Sequence, residues 1–406
     1  MTTGNKLHMH AELINAVQGH RDAMVEWTEQ LVAIPTENPP GACYPQAVQL
    51  IRSHLENLGF RDTQVAGDCV LSFIGGGERT LYFSGHYDVV PAQDPAQFEP
   101  ARKGANLFGR GSSDMKSGLA AMTYAAKAIH ETCAKLNGRI GLIFVPDEET
   151  AGPRGSHFLA EQGLLGRGAV GMLTPEPTGG VVWNANRGAI TLNVKINGKS
   201  AHVGRQREGV NAFEQMLEVA QALAKLKEEV EQQSTAYEIA PESVRRSILM
   251  MGGRCESGSN FNVVPDSCSF TIDRRINPEE DFQTEKQRLL ATLEEARKKG
   301  IDLGVEILQE GSSSGVPKDG LVGSALARSI REVTGREAQF EMCPGLLEIR
   351  FYAERGIPAF AYGPGLLTVS HGPSEFVPVG RIVQCATIYA LTAAELLSAQ
   401  TKPQQK

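Results

Sequence analysis

The sequence predicts an α/β protein that carries an inserted α+β unit, on three observations. From residue 69 to residue 174, short apolar strands alternate with helical stretches, the pattern of a βαβ sheet. At Ala189 the texture changes to strict in–out alternation, and the elements that follow read β-α-β-β-α-β, a ferredoxin-like order. The stretch 312–320, SSSGVPKDG, then returns the chain to its first texture. At 406 residues the chain is long for a single core. Residues 1–188 and 310–406 are therefore expected to form one domain and residues 189–309 a second.

Each element has its own signal. Leu13, Val17, Met24, Val25 and Leu31 recur near helical spacing and predict a helix over 11–32, ended by Pro35 and Pro39-Pro40. Ala47, Ile51, His54 and Leu55 share a face and predict a helix over 44–58, capped by Gly59. Strands are expected at 69–74 and 81–84, where Leu81-Tyr82-Phe83 climbs out of a core and stops at Gly85. A tight turn, FGRGSSDMKSG, then runs into an apolar helix over 118–133. Ile140 to Val145 is a near-continuous apolar run, as expected of a strand covered on both faces, and 170–174 repeats it. Ile190, Leu192, Val194 and Ile196 alternate with polar residues, a strand with one wet side. A helix over 210–233, with Phe213, Met216, Leu217, Ala220, Leu223 and Ala224 on one face, follows. Strands at 247–252 and 267–276, a charged helix over 279–299 and a strand at 305–308 complete the inserted unit. Helices over 321–334 and 386–397 close the chain, and the tail QTKPQQK (400–406) reads as frayed.

Composition narrows the function classes. A net charge of −7 argues against a general nucleic-acid or acidic-membrane partner. Apolar runs fall short of the roughly 20 residues that span a bilayer, and the first residues lack the apolar stretch of a signal peptide. Seven cysteines, an odd number with no CxxC pair, read as unpaired thiols in a reducing compartment, hence a cytoplasmic protein. The glycines around Lys116 do not make a phosphate loop, because Met115 stands where that loop needs glycine. GxSxG is absent from this turn, and His130-Glu131 lacks the second histidine of HExxH.

What remains is a set of polar residues at strand ends and sharp turns: His86, Asp88, Asp114, Glu148, Glu149, Glu176 and His371. His86 and Asp88 lie two apart, so an extended chain puts them on one face. His-x-Asp alone is a weak signal, and a carboxylate opening a helix is usually a cap. The number of segments that end in the same way raises the odds. Two histidines and several acids with no cysteine suit Zn²⁺, Co²⁺ or Mn²⁺. Two ions sharing Asp114 would each need further ligands, which His86 with Glu176 and His371 with Glu149 supply. Glu148 is then spare and available as a general base. Asp88 would orient His86 through its other ring nitrogen.

GHYDVVP, FGRGSSDMKSG, PDEETAG, PEPTG and the downstream His371 resemble, in order and spacing, the M20 metallopeptidase/deacylase family. The resemblance extends over nearly the whole chain, including LVAIPTENPPG near its start. It implies a zinc-peptidase-type mixed sheet with helices on both faces, plus a ferredoxin-like lid that dimerises. It implies a two-metal, usually zinc, hydrolase with ligands at His86, Asp114, Glu149, Glu176 and His371, Glu148 as base, and a cis peptide after Asp114. In the lid, GKSAHVGRQREGVNA resembles the segment whose histidine, here His202, reaches the partner subunit's site to support an oxyanion. NFNVVPD and IDRRINP correspond to stretches supplying a substrate-binding Asn and Arg, here Asn262 and Arg275 or Arg274. PGLLEIRF departs from the family pattern, with Glu348 where Asp follows a hydroxyl residue. Tyr87 and Ser117 are smaller departures. The expected reaction is hydrolysis of a C–N bond, the amide of an N-acyl amino acid or small peptide bearing a carboxylate. The alternative is a non-peptide C–N bond of an aromatic amine (aminobenzoate type) or a carbamoyl compound. A metal-binding scaffold without catalysis is disfavoured by the presence of Glu148.

Overall fold

Every residue from Thr80 to His86 is buried, and so are nearly all from Gly138 to Val145. These two apolar runs form the centre of the larger sheet in the computed structural model, which describes residues 3–132 and 136–398. Thr80–His86 pairs in parallel with Gly138–Val145 on one side and Ala169–Thr174 on the other. Ala359–Ala361 extends the parallel run beyond Ala169–Thr174. Cys69–Gly76 and Asp62–Ala66 add antiparallel strands beyond Gly138–Val145. The sheet is therefore mixed, with a parallel centre.

Alternation along Thr80–His86 shows that both faces are covered. Phe83 meets Tyr389 of the helix Val379–Leu397 with ring centroids 5.4 Å apart. Tyr82, pointing the opposite way, meets Tyr352 of the helix Ile349–Ala353 at 5.9 Å. Burial on both sides is what forces the strands to be apolar at every position.

Several expectations need correction. One helix was expected over 11–32; the chain forms two, Thr3–Gly19 and Arg21–Val32, broken at His20 with φ −94° and ψ 7°. The His20 ring is drawn out to Glu131 at 2.8 Å, and Leu13, Val17, Met24, Val25 and Leu31 still reach the core. The last helix begins at Val379, earlier than the expected 386, because Pro378 is a suitable residue immediately before it. Phe213 and Leu217, expected on the buried face of their helix, are 40% and 44% exposed; Met216, Val219 and Leu223 take the inner positions of Ala212–Val230. Cys133 and the tail 400–406 lie outside the described residues. No disulfide forms among the described residues, and no helix among them is long and apolar enough to cross a membrane.

The chain divides into two compact units. One comprises the chain up to Asn184, Val316–Phe340 and the chain from Glu348 on; the other comprises Ala185–Gly315 with Glu341–Leu347. The second unit holds an antiparallel sheet in the order Ile248–Ser257, Ser267–Ile276, Gly188–Asn197, Leu303–Gly311. Its helices, Ala212–Val230 and Phe282–Lys298, complete a β-α-β-β-α-β unit whose core includes Ile190, Leu192, Val194, Ile196, Leu223 and Leu289. Gly188–Asn197 keeps the predicted alternation, buried on one face and open on the other.

Within the first unit, Gly118 marks where the helix Lys116–Thr132 presses on the loop after Ala169–Thr174. A Cβ there would stand 2.4 Å from Pro175 Cβ and 2.7 Å from its carbonyl oxygen. Alanine would gain at most about 1 kcal/mol in helix propensity, but it would overpack against main chain that cannot swing aside. Gly118→Ala should therefore destabilise the fold by a net ~1–2 kcal/mol. The urea midpoint measures this, and an unchanged or raised midpoint would refute the packing argument.

Candidate metal centre

Topology brings three strand ends, and the polar side chains just at or beyond them, to one sheet edge. His86 is the last residue of Thr80–His86. Its two parallel neighbours run in the same direction, so their carboxyl ends lie beside it. Beyond Val145 come Glu148 and Glu149; beyond Thr174 comes Glu176. Ligands of open α/β sheets gather at this edge. Gly85, just before His86, leaves room for Leu119 and Pro175, which would stand 2.9 and 3.0 Å from a Cβ there. Asp114 reaches in from the turn before Lys116–Thr132, and its peptide to Met115 is cis. His371 comes from the Gly/Pro-rich loop before Phe376–Pro378, with φ 64°. That left-handed conformation costs a non-glycine residue about 1–3 kcal/mol.

The side chains converge. His86 Nε2 lies 3.3 Å from Asp114 Oδ1 and 3.9 Å from Glu148 Oε2. His371 Nε2 lies 3.3 Å from Asp114 Oδ2 and 3.3 Å from Glu149 Oε2. Each oxygen of Asp114 thus faces a different imidazole. Atoms of His86, Asp114 and Glu149 lie within 4.8 Å of one another, a spacing one ion can bridge.

Asp88, fully buried, organises this edge from behind. Its carboxylate lies 3.4 Å from His86 Nδ1, which also contacts the Asp88 carbonyl at 3.0 Å. It accepts the backbone N–H of Glu148 at 3.3 Å and of Glu149 at 3.2 Å. Asn38 Nδ2 donates to it at 2.9 Å and to Thr150 Oγ1 at 3.0 Å. The Asn38 segment is itself secured: Lys116 Nζ donates to the carbonyls of Leu31 and Ile34, each at 2.9 Å. Asp147, at φ 65°, accepts from Tyr44 Oη at 2.9 Å and from Arg154 N at 3.1 Å, which fixes the turn carrying Glu148.

Electrostatics mark the site as short of positive charge. Burial, with the neighbouring Asp114 carboxylate adding to it, pushes the Glu176 carboxyl up to about 8. Burial likewise raises Glu148 well above the usual carboxylate range, against the pull of His86. Hydrogen bonds to Asp114 and Glu149 hold the His371 ring protonated up to about 10. Burial opposes the His86 cation, but its bonds to Asp114 and Asp88 outweigh burial and its pKa rises well above the ordinary value. Protons thus occupy this cluster where cations would otherwise sit. Glu149 Oε1 and Glu176 Oε1 are buried with no hydrogen-bond partner among the described residues. Orphaned carboxylate oxygens beside two imidazoles are the donor set of a borderline divalent ion, so the residues fit one.

The remaining predicted residues fall elsewhere. Glu348, also in the first unit, is buried and accepts from Ser156 Oγ; burial raises its carboxyl above the usual range. In the second unit, Arg274 is buried and committed to Glu280 and Glu285. Arg275 is partly exposed and pairs with Asp273 at 2.7 Å. His202 is exposed, and its Nδ1 accepts from Gly204 N at 3.1 Å. The segment carrying Asn262 lies beside it: Val203 N donates to the Asn262 carbonyl at 3.0 Å. Sequence reasoning passed over Asn38, Arg110 and Glu375. Asn38 and Arg110 lie in the stretches quoted above and Glu375 four residues after His371, but a polar residue in a Gly/Pro-rich loop ordinarily faces water, and nothing local signals its burial.

The profile of Peptidase family M20/M25/M40 matches residues 82–395. The chain belongs to this family. It is 30% identical over 365 residues to the succinyl-diaminopimelate desuccinylase of Aromatoleum aromaticum, spanning 86% of this chain and 91% of that protein. Among solved structures it is similar to the di-peptidase Dug1p of Saccharomyces cerevisiae, with TM-score 0.78 and 14% identity over 97% of this chain and 99% of that one. It is also similar to a dinuclear metal binding peptidase of the M20 family from Bacillus subtilis, with TM-score 0.65 and 16% identity over 94% and 99%. As an M20 member the chain is a metal-dependent amidohydrolase.

Protonation of the metal-free cluster fixes a pH dependence. Glu176 titrates near 4.5 when unfolded and at about 8 when folded, so the folded chain holds the extra proton across that window. Stability then falls as pH rises through it. The chelator-stripped protein should melt at a lower temperature near pH 7 than near pH 5, and an added divalent ion should raise Tm more at the higher pH. A metal-induced rise in Tm equal at both values would refute proton–metal exchange.

Proposed function

We propose that this chain is a two-metal hydrolase of the amide bond in an N-acyl amino acid or small peptide that carries a free carboxylate. The observation behind it is the split of Asp114, one oxygen toward His86 and the other toward His371. On this reading His86 and Glu176 complete one site and His371 and Glu149 the other. Zinc is the favoured ion for this donor set, with Co²⁺ or Mn²⁺ as substitutes. Ions held there would supply Lewis acidity toward the scissile carbonyl and lower the pKa of water.

The chain's own residues do the rest. Glu148 lies within reach of the cluster, 3.9 Å from His86, without belonging to either ligand pair. It takes a proton from the attacking water and hands it to the leaving nitrogen as the C–N bond breaks. Asp88 keeps the His86 ring oriented by holding Nδ1.

The second unit provides recognition. Gly204 N–H on Nδ1 leaves the proton of His202 on Nε2, which suits that nitrogen to donate to a developing oxyanion. With Arg274 committed internally, Arg275 is the anchor for the substrate carboxylate and Asn262 a second polar contact. Glu348 borders the catalytic acids on the other unit. An exposed apolar row, Val210, Phe213 and Leu217, and the edge strand Ile248–Ser257 with Met250 exposed, support a homodimer formed through this unit. In such a dimer His202 would act on the partner's site. The desuccinylase relative is named for an N-acylated diamino acid, which fits this class. The unpaired cysteine pattern fits a cytoplasmic enzyme.

Glu148→Gln should retain two metal ions per chain and lose at least about 10²-fold in kcat, the usual scale for a general base. Wild-type turnover in this variant would remove Glu148 from the mechanism. N-succinyl and N-acetyl amino acids, dipeptides and aminobenzoates, each assayed with Zn²⁺, Co²⁺ and Mn²⁺, test the substrate class. Turnover confined to aminobenzoates would overturn the amide reading. Arg275→Ala should raise KM for a free-acid substrate and leave its amide analogue unaffected; an equal effect on both would refute the carboxylate anchor. Mixing His202→Ala chains with Glu148→Gln chains should restore part of the activity, since one hybrid site is intact. No recovery despite demonstrated subunit exchange would rule out action across the dimer.

A further inference from the structure

Arg110 and Glu375 form an ion pair at 2.7 Å with both side chains 1% exposed. They lie 265 residues apart, and neither is part of the metal-binding or proton-transfer set above. Their remaining bonds include main-chain atoms of that set and of the turn that carries Asp114. Glu375 Oε1 accepts the backbone N–H of Ser113 at 2.9 Å and of Asp114 at 3.0 Å. Its other oxygen holds Arg110, whose Nη2 donates to the carbonyl of His371 at 3.3 Å. One continuous chain of bonds therefore runs from the amide of Asp114 to the carbonyl of His371, through a carboxylate and a guanidinium.

A pair placed for stability would not look like this. Burying two charges costs as much as their attraction returns, and an apolar pair of similar volume is commonly as stable or better. Arg110 Nε is also left without a hydrogen-bond partner among the described residues, a cost that no stability role repays. The ion pair adds fixed geometry, since a two-ended carboxylate meeting a forked guanidinium has little freedom to rotate. His371 needs such a hold. Its left-handed backbone persists only when neighbours over-determine it. Besides Arg110, Gln93 Nε2 donates to its carbonyl at 3.2 Å, and Gln97 Nε2 reaches Gly372 O at 3.1 Å. Ser113 and Leu366 exchange bonds at 2.7 and 3.1 Å, fixing the approach of the two loops at a separate point.

We infer that Glu375 and Arg110 are positioning residues for hydrolysis: through main-chain atoms they set the distance between Asp114 and His371, and so the geometry of the ion those two side chains share. The inference rests on the assignment of Asp114 and His371 as ligands. It names a division of labour: Arg110 serves the His371 side, whereas Glu375 serves Asp114, which on that assignment would be shared by both ions.

The experiment is a Co²⁺ titration of chelator-stripped full-length protein, followed by calorimetry and by the visible absorption of bound Co²⁺, with Tm and circular dichroism recorded in parallel. Wild type should bind two equivalents. Arg110→Lys keeps a cation against Glu375 but cannot also span to His371. It should weaken one of the two sites by about 10- to 100-fold, shift the absorption of that site and leave the other unchanged. Glu375→Gln presents an amide donor toward other donors and should weaken both sites by about the same factor. At saturating metal, kcat should fall in both variants with KM unchanged. If both variants bind two Co²⁺ with wild-type affinity and absorption, the inference is wrong, even if Tm falls. That result would mark the pair as merely structural. Should Glu375→Gln fail to fold by circular dichroism, the Arg110→Lys titration decides by the same criteria. Wild-type protein that binds no Co²⁺ would overturn the ligand assignment itself, and this inference with it, an outcome distinct from matched binding in variant and wild type.

Discussion

Mutual repulsion among buried carboxylates is the constraint on which the first unit depends. Asp88, Asp114, Glu176 and Glu348 are buried with Glu148 and Glu149 beside them. Like charges in a low-dielectric setting interact strongly and over long range. The metal-free chain relieves the repulsion by retaining protons on Glu148 and Glu176 and on both imidazoles. A parallel sheet edge is the natural place for such an arrangement, because several strands deliver side chains there without any one segment carrying them all. The apolar strands behind that edge supply the rigidity that holds the acids together.

How much of this was legible in the sequence depended on the range of the cause. A strand buried on both faces must be apolar throughout, so the runs ending at His86, Val145 and Thr174 announced themselves, as did the acids beyond them. Strict alternation over 189–197 revealed a sheet with one open face. The helix over 321–334 emerged with those bounds because Gly320 and Gly335 delimit it. What escaped was set by tertiary contact. At the helix break, the His20 ring bonds a residue 111 positions away. Outward placement of Phe213 and Leu217 reflects which helical face the sheet covers, and several apolar residues competed for that face. Asn38 joins Asp88 across 50 residues, and Arg110 joins Glu375 across 265. A polar residue in a loop reads as solvated unless its partner is known.

The second unit solves a different problem. Its charged core group, Arg274 between Glu280 and Glu285, is closed upon itself, so this cation is spent inside the unit. Arg275 on the neighbouring position alternates to the other face and stays partly exposed. Two adjacent arginines of the same strand therefore differ in burial and partners, as strand parity dictates. Parity was available from the sequence; which face carried Glu280 and Glu285 was not.

Asp88 holds the loop after Gly138–Val145 by the backbone amides of Glu148 and Glu149 and makes no bond to their side chains. The path at positions 148 and 149 is thereby held through main-chain atoms, while the side chains that shape the turn are those of Asp147 and Thr150. An exchange at position 149, such as a shorter acid or an imidazole, would meet the same main-chain path and the same approach to the neighbouring strand end. Donor type could then be altered one residue at a time while the scaffold is left intact. On the proposed ligand assignment, an edge built in this manner would be a socket with replaceable pins, its range of ions open to change by single substitutions.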